Sequence, residues 1–356
     1  RRRAPEAAAR RRTMEALPIW LVVATAGLIA GVASWAGTGV VLKALERRAI
    51  LDHPNQRSSH ATPTARGGGL ALIPVLIVVW GAGALVLPAS APALDVMLAL
   101  IALLAALSWL DDLRGVAIAV RLAAQAAAVA LGLWLLPGDG LVFQGLVPPP
   151  LDALMAGLLW LWFINLFNFM DGIDGLAGVE TATIGAGLCL AALAAAWRPD
   201  AALYGLAAAA AALGFLRWNW PPARIFLGDV GSVPLGFALG WLLLWAAAAG
   251  LWATALILPL YYLADATLTL GRRALRGERV WQAHRDHFYQ RAARALGSHL
   301  AVLRAVLLAN LALVGLAVAA AALPAGGGAW LVAGALVVLA LLWYLQRAGA
   351  GEKHGG

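Results

Sequence analysis

Residues 17–42 read LPIWLVVATAGLIAGVASWAGTGVVL, a stretch of 26 positions without a charged side chain that is followed by Lys43. About 20 apolar residues in an α-helix are enough to cross the hydrocarbon core of a bilayer. The apolar region of a cleavable signal peptide is shorter than this stretch. The sequence therefore predicts that the chain enters the membrane here as a spanning helix.

Ten further apolar runs follow along the chain. They lie near residues 69–88, 93–110, 117–136, 151–167, 178–197, 200–216, 233–247, 250–270, 300–323 and 327–346. Of the 356 residues, 62% are hydrophobic and only 12% are charged, whereas a soluble domain carries about 25% charged residues. The sequence predicts an all-α polytopic membrane protein with about eleven transmembrane helices and catalytic cytoplasmic loops.

The chain is expected to form one membrane domain, at residues 17–346, followed by a short tail at 347–356. Residues 1–16 form a basic N-terminal arm that begins RRRAPEAAARRR, and Met14 is an alternative start. The single cysteine, Cys189, lies in an apolar run. It therefore predicts neither a disulfide framework nor a thiolate metal site.

Positive charge is concentrated on one side when the runs are counted alternately. The loops on that side hold Lys43, Arg47, Arg48, Arg57, Arg66, Arg114, Arg217, Arg224, Arg272, Arg273, Arg276, Arg279, Arg285, Arg291, Arg294, Arg347 and Lys353. The opposite loops hold little beyond Arg198. An excess of Lys and Arg marks the cytoplasmic face, so the formal charge of +8 is attributed to membrane orientation and not to nucleic acid. The arm would then lie outside, which favours a start near Met14.

The chemically active residues share that side. Five loops carry them: one from Asp52 through His60 to PTARGGG at 63–69, WLDDLRG at 109–115, NLFNFMDGIDG at 165–175, RIFLGDVGS at 224–232 and HRDHFYQR at 284–291. Scattered solvated charges would not obey this alternation. The sequence therefore predicts a cytoplasmic active site in a multi-pass protein of the bacterial inner membrane.

Two groups of acidic residues suggest catalysis and metal binding. Asp111 and Asp112 end an apolar run, and they are either a solvated helix end or a pair in which one carboxylate acts as a base. Asn168, Asp171, Asp174 and Asp229 offer the hard oxygen atoms that Mg²⁺ binds together with substrate phosphates. The alternative for these residues is an ordinary Asx-turn or a helix cap.

The basic loops suggest phosphate binding. Arg66 is followed by Gly67–Gly69, whose amides could approach phosphate oxygens, although a flexible loop is an equal alternative. His284, Arg285, His287 and Arg291 form a second basic group, for which zinc is the alternative to phosphate. Acidic metal ligands and cationic phosphate-binding groups beside a bilayer together point to phosphoryl transfer.

The five loops, in this order and on these spans, resemble the polyprenyl-phosphate N-acetylhexosamine-1-phosphate transferase superfamily, from about Leu17 to about Leu345. The O-antigen-type initiating transferases look nearest, because of residues 284–291. Peptidoglycan-synthesis members have a triple-histidine motif there, which argues against a pentapeptide substrate. The resemblance implies transfer of a sugar 1-phosphate from a UDP-N-acetylhexosamine to undecaprenyl phosphate, with release of UMP. This would be the first membrane step of cell-surface polysaccharide synthesis.

The resemblance also implies roles for individual residues and a cofactor. Asp229 and Asn168 match magnesium ligands, with Mn²⁺ as the alternative ion, while Asp171 and Asp174 match metal ligands or nucleotide contacts. Asp111 matches a base that deprotonates the lipid phosphate, with Asp112 supporting it. Further matches concern substrate binding: Phe226 to a residue that stacks on uracil, Thr64 and Arg66 to the loop near the nucleotide, and His284, Arg285, His287 and Arg291 to the diphosphate and sugar region. A homodimer is also expected.

Two positions qualify this resemblance. Ala65 stands where the family commonly has proline. Asp265 matches a recurring acidic residue, but it could equally be a structural partner of a neighbouring helix. Outside the family, a transporter for an anionic metabolite or an inactive scaffold would be the alternatives. The sequence does not identify the sugar.

Overall fold

The computed structural model describes residues 18–52, 62–87, 93–137, 140–279 and 284–350. Most of these residues are helical, and three very short strands join two of the loops. The predicted arm at 1–16, together with His53, His60 and Lys353, lies outside the described residues. The predicted class, an all-α polytopic membrane protein, is confirmed.

The described residues form thirteen α-helices. These are α1 (Ile19–Arg47), α2 (Gly69–Val86), α3 (Leu94–Arg114), α4 (Ile118–Trp134), α5 (Pro149–Met170), α6 (Leu176–Ala194), α7 (Pro199–Asn219), α8 (Asp229–Ala248), α9 (Trp252–Ile257), α10 (Leu260–Leu275), α11 (Phe288–Leu296), α12 (His299–Ala322) and α13 (Gly327–Gly349). A single 3-10 turn, Pro324–Gly326, precedes the last helix.

Nine of the helices described are long and apolar enough to cross a membrane, so the predicted count of eleven is not confirmed. All eleven predicted runs are helical, but two of them differ from the prediction. Helix α4 has only 17 residues. The run near 250–270 is divided into α9 and α10, with Pro259 immediately before α10. Proline has no backbone N–H to donate and disrupts the preceding helical turn, which explains the break.

Helix α8 forms the centre of the bundle. Its apolar window is 100% buried, whereas the windows of α1 and α13 are 22% and 28% buried. Helices α3 and α5 pack directly on α8, and Trp160 of α5 donates a hydrogen bond from Nε1 to the carbonyl of Phe237 at 3.0 Å. Because α8 begins with Asp229, this packing brings the ends of α3 and α5 to that carboxylate.

A small sheet connects the loops at the same end of the bundle. It contains β1 (Leu51–Asp52), β2 (Thr64–Arg66) and β3 (Ile225–Phe226) in that order. Strands β1 and β2 are antiparallel, while β2 and β3 are parallel, with Arg66 paired to Phe226. Since β3 leads into α8, this pairing places Arg66 beside the start of the central helix.

Candidate active site

Four carboxylates lie at neighbouring helix ends. Asp111 and Asp112 are in the last turn of α3, Asp171 directly follows α5, and Asp229 is the first residue of α8. The packing of α3 and α5 on α8 gathers these four side chains into one group, which we call the carboxylate cluster. The predicted grouping of the three sequence motifs is therefore present.

Arg66 joins two members of the cluster. Its Nη2 lies 2.7 Å from Oδ1 of Asp229 and 2.8 Å from Oδ1 of Asp112. Burial disfavours the charged guanidinium, but the carboxylates of Asp112 and Asp229 outweigh this effect and raise the pKa of Arg66. The arginine is therefore a permanent cation within the cluster.

Arg121 of α4 is a second cation of the cluster, and the sequence analysis missed it. Its Nη1 makes an ion pair with Oδ2 of Asp111 and lies 3.6 Å from Oδ2 of Asp229. Asp111 also accepts a hydrogen bond from the amide of Val116 at 2.6 Å. The available signal was a single charged residue in an otherwise apolar helix, a position that by default indicates function in a membrane protein.

Asp112 contributes to the architecture of the cluster. Its Oδ2 accepts a hydrogen bond from the amide of Val230 at 3.0 Å and so caps the first turn of α8. Its buried Oδ1 lies near Arg66 but receives no well-directed hydrogen bond among the described residues. Asp112 thus positions Asp229, and one of its oxygen atoms can still accept a bond from a cation or a donor.

Asn168 lies within reach of the same helix start. Its amide nitrogen donates to Oγ of Ser232 at 2.8 Å, which leaves the amide oxygen as the atom suited to a cation. Asn168, Asp111, Arg121 and Asp229 line one cavity of about 140 Å³. Three of the side chains predicted for catalysis or metal binding, Asp111, Asn168 and Asp229, therefore face a common space, while Asp112, Asp171 and Asp174 do not line it.

The cluster carries more negative than positive charge. Burial and the carboxylates of Asp229 and Asp112 outweigh the opposing effect of Arg66 and raise the pKa of Asp171 to about 7. Even when Asp171 is protonated, three carboxylates are accompanied by the two arginines described above. A divalent cation would neutralise the remaining charge, and the hard oxygen donors suit Mg²⁺.

Asp174 has protein partners of its own. Its Oδ2 accepts a hydrogen bond from the amide of Ala223 at 2.9 Å, and its Oδ1 lies 3.3 Å from Nδ1 of His299. The adjacent Gly175 donates its amide to Asn219 at 2.9 Å. These contacts fix the turn after α5 against α7 and α12, and the role of Asp174 as a metal ligand stays a prediction.

The glycines after Arg66 have a structural task. The amides of Gly67 and Gly68 donate to the carbonyl of Phe226 at 3.1 and 2.8 Å, and the amide of Gly69 donates to Leu227 at 2.9 Å. A Cβ atom on Gly69 would lie 2.3 Å from Cα of Gly231, so the two backbones approach too closely for a side chain. Of the two alternatives for these glycines, phosphate binding by the amides is not supported, because the amides are already hydrogen-bonded within the protein.

Thr64 and Phe226 lie on either side of this turn. Thr64 is buried, and its hydroxyl donates to the carbonyl of Thr62 at 3.0 Å. Phe226 is partly exposed beside Arg66, a location compatible with a base-stacking residue next to a phosphate-binding arginine. The uracil contact stays a prediction.

The loop before α11 is anchored by Asp265. This carboxylate is fully buried in α10 and accepts hydrogen bonds from the amides of Phe288 and Tyr289 at 3.2 and 3.3 Å. Nδ1 of His287 lies 3.0 Å from the same group. The structural alternative for Asp265 is therefore supported, since it caps α11. His287 is only 2% exposed and presents almost no surface to a substrate.

The surroundings of His284 disfavour its charged form. Partial burial, together with the neighbouring His287 and Arg273, lowers the pKa of His284 to about 4. Its ring stacks on His287 with 4.9 Å between centroids. Among the described residues, no three histidine, cysteine or acidic side chains form a preformed metal cage, so the zinc alternative has no support. Mg²⁺ does not require such a cage, because waters and substrate phosphates commonly complete its shell.

Arg285 and Arg291 lie apart from the carboxylates. The carbonyl of Arg285 accepts a hydrogen bond from Nη1 of Arg294 at 2.9 Å. Arg291 lines a different cavity, between α10, α11 and the end of α13. As the structure describes it, the cavity with Asp111 and Asp229 is not lined by any residue of 284–291. The predicted contacts of this loop with the diphosphate and sugar remain untested.

A known family model matches the central part of the chain. Residues 94–247 match the family model described as glycosyl transferase family 4. This segment contains all four carboxylates of the cluster and Asn168, but neither Arg66 nor the loop at 284–291. The match therefore covers the part of the chain where the helix ends converge.

Curated relatives fall into two named activities. The phospho-N-acetylmuramoyl-pentapeptide-transferases of Trichormus variabilis and Synechococcus sp. are 34% and 35% identical over 220 and 237 residues, which cover 56% and 60% of this chain and 58% and 64% of theirs. The decaprenyl-phosphate N-acetylglucosaminephosphotransferase of Mycobacterium tuberculosis is 28% identical over 243 residues, 61% of this chain and 58% of its own. The chain thus spans about three fifths of the length of these relatives. The matches support the predicted resemblance to the polyprenyl-phosphate N-acetylhexosamine-1-phosphate transferases.

Proposed function

We propose that the protein transfers a sugar 1-phosphate from a UDP-N-acetylhexosamine to undecaprenyl phosphate, at the cytoplasmic face of a bacterial inner membrane. The observation that carries this proposal is the carboxylate cluster, in which Asp111, Asp112 and Asp229 surround Arg66 and Arg121 at the ends of membrane helices. Phosphoryl transfer depends mainly on positioning and on charge neutralisation. A cluster with both signs of charge at a bilayer surface supplies both.

The acceptor is inferred from the walls of the cavity. Beside its polar residues, the cavity is lined by Leu104, Leu107 and Leu122. A larger apolar cavity of about 590 Å³ between α4, α5 and α10 shares Leu122, Asn165 and Phe169 with it. A phosphate carried on a long apolar chain fits this arrangement, because its charged group reaches the cluster while the chain stays in an apolar environment.

The reaction forms one bond and breaks another. An oxygen of the lipid phosphate attacks the phosphorus that bears the sugar, the bond from this phosphorus to the oxygen of UMP breaks, and its electron pair leaves with UMP. Asp111 accepts the proton of a singly protonated acceptor, while Arg121 pairs with the negative charge that the acceptor brings. Arg66 and Phe226 lie together on the small sheet and would bind the uridine diphosphate part of the donor.

A divalent cation fits the donor set, and Mg²⁺ is proposed. Asp229, Asp171 and Asn168 would hold it, with Mn²⁺ as a substitute. When bound, the ion supplies neutralisation of the diphosphate charge. The excess of carboxylates over arginines in the cluster is the feature of this chain that supports such an ion.

The proposal also concerns the pathway and the sugar that is transferred. The sequence HRDHFYQR at 284–291 favours an O-antigen-type initiating transferase, and the relatives act, by their names, on acceptors or donors of more than one kind. N-acetylglucosamine, N-acetylgalactosamine and 6-deoxy-N-acetylhexosamines are the donors to compare.

The test uses purified full-length protein, undecaprenyl phosphate and a panel of UDP-sugars, with release of UMP as the readout and mass spectrometry of the lipid product to identify the sugar. Activity is expected to stop in EDTA and to return with Mg²⁺. Asp111→Asn and Asp229→Asn should abolish it. Asp95→Asn, at the exposed opposite end of α3, is the matched control. Absence of UMP release with every donor, or unchanged activity of both cluster variants, would refute the proposal.

A transporter function is tested in the same preparation. Transporters place their binding groups near the middle of the membrane on broken helices, whereas the carboxylate cluster lies at helix ends. Uptake of a UDP-sugar into proteoliposomes without chemical conversion would favour the transporter over the enzyme.

A further inference from the structure

A second polar cavity of about 380 Å³ lies at the same end of the bundle as the carboxylate cluster. It is formed by the last turns of α10, by α11 and by the end of α13. The charged residues that line it are Arg272, Arg273, Arg276, Asp286, Arg291 and Arg294. We call this cavity the arginine pocket. None of these residues lines the cavity that contains Asp111 and Asp229.

The arginine pocket has a large excess of positive charge. Five guanidinium groups line it together with a single carboxylate, Asp286, which pairs with Arg273. Glu278 also pairs with Arg273, at 2.9 Å. Nε of Arg273 is nevertheless buried without a hydrogen-bond acceptor among the described residues. The pocket is therefore suited to an anion that offers several oxygen atoms.

The arginines of the pocket are held in place by the fold. The guanidinium of Arg272 lies over the ring of Phe288 at 4.8 Å from its centroid, and the backbone amide of Phe288 is bonded to the buried Asp265. Arg291 packs against Gly349 at the end of α13. The pocket thus joins three helices, and a ligand bound there would stabilise their arrangement.

Two of the helices that form the arginine pocket, α10 and α11, also expose apolar side chains. Large leucines on the same two helices are exposed: Leu268 by 42%, Leu275 by 90% and Leu296 by 42%. Helices that expose both leucine and arginine place the leucine in the acyl region and the guanidinium among headgroups. The excess of Lys and Arg predicts that this side faces the cytoplasm, where anionic lipids attract basic segments.

We propose that the arginine pocket binds the phosphodiester headgroup of an anionic glycerophospholipid, separately from the reacting lipid phosphate. The exposed leucines provide contacts for its acyl chains, which a soluble phosphate or a nucleotide sugar lacks. The proposal goes beyond the transferase activity and does not depend on which sugar is transferred.

Native mass spectrometry of the delipidated full-length protein in a neutral detergent tests this site directly. Dioleoyl-phosphatidylglycerol should bind, and dioleoyl-phosphatidylcholine should bind much less. The double variant Arg272→Gln, Arg276→Gln should lose phosphatidylglycerol affinity on the order of tenfold, since each arginine near a lipid headgroup contributes substantially. The control Arg47→Gln, Arg48→Gln removes the same charge from exposed positions at the end of α1, and it should bind as the parent does.

Two results would overturn the proposal. One is an equal loss of affinity in the control, which would indicate unspecific attraction to a basic surface. The other is complete displacement of the lipid by millimolar inorganic phosphate or by a UDP-sugar. That result would indicate that the pocket binds a soluble phosphate compound and not a lipid. If the double variant fails to fold, Arg276→Gln alone serves instead, because this side chain is 68% exposed. Binding is measured without turnover, so failure of the transferase proposal would be recognised separately.

Discussion

Asp229 and Asp265 are both carboxylates in polar regions of a membrane protein, but their surroundings differ. Asp229 is 18% exposed, borders a cavity and contacts two arginines. Asp265 is fully buried, and its partners include backbone amides and the hydroxyls of Thr269 at 3.2 Å and Tyr261 at 3.4 Å. A carboxylate that borders a cavity can exchange an arginine partner for a metal cation, whereas a fully buried carboxylate held by backbone amides, hydroxyls and the ring of His287 is a fixed part of the fold. The difference is consistent with the proposed chemical role of Asp229 and with a structural role of Asp265.

The largest expected effect is on activity, from Asp229→Asn. The variant keeps the shape of the side chain but removes a charge that faces the cavity, so turnover should fall about a thousandfold, which is about 4 kcal/mol at the transition state. The melting temperature in detergent should hardly change, because the cluster has an excess of negative charge. UMP release and a thermal melt are measured on the same sample. Retention of activity within tenfold would remove the basis of the comparison.

Asp265→Asn should show the opposite pattern. The amide keeps an oxygen but introduces N–H donors among groups that already donate, so the native state should be destabilised by about 3 kcal/mol. The thermal melt is the primary readout, with Asp95→Asn as the exposed control. If Asp265→Asn melts like the control but loses turnover, Asp265 acts in the chemistry, and the contrast with Asp229 is lost.

Gly172→Ala tests the contact between the two regions. A Cβ atom on Gly172 would lie 2.3 Å from the hydroxyl of Tyr289, whose backbone amide is bonded to Asp265. We expect a loss of about 1–3 kcal/mol from overpacking, together with reduced activity because Asp171 is adjacent. Gly315→Ala, which has open space around it in α12, should be neutral or slightly stabilising. Equal melting temperatures for the two variants would show that the contact is loose.

The smallest expected effect comes from Ser232→Ala. This variant removes the hydroxyl that accepts the hydrogen bond of Asn168, so the predicted metal-binding oxygen loses its orientation. A loss of about 1 kcal/mol corresponds to about a fivefold higher Mg²⁺ requirement. The Mg²⁺ dependence of UMP release measures it. Thr181→Ala, whose hydroxyl donates within its own helix to Ala177, is the control. Equal Mg²⁺ dependence of the two variants would argue against Asn168 as a ligand.

The sequence predicted the membrane class and the grouping of Asp111, Asp112 and Asp229, because apolar runs determine which loops share a side. It did not predict the number of complete spans, since α4 has only 17 residues and a proline before α10 divides another run into two helices. Arg121 was not predicted, because the candidate residues were sought in the polar loops, while Arg121 lies inside a short apolar helix.

Other features depend on distances that a sequence does not contain. Neutral His284 results from burial beside Arg273 and His287, and neither neighbour can be inferred to be so close from spacing alone. The sequence left the amides of Gly67 and Gly68 as possible phosphate ligands. In the structure they donate hydrogen bonds to the carbonyl of Phe226 in β3, more than 150 positions further along the chain. Pairing between such distant segments requires three-dimensional information.

The way in which Asp265 holds the loop before α11 has a consequence for how this scaffold can diversify. The carboxylate accepts hydrogen bonds from the backbone amides of residues 288 and 289. Every amino acid except proline has a backbone N–H group that can donate in this way. Exposed side chains just upstream, such as Asp286, can therefore be exchanged while the point of attachment is preserved. The fold thus separates the part that must stay constant from a replaceable surface, which is the property that an engineer would use to alter what the protein accepts.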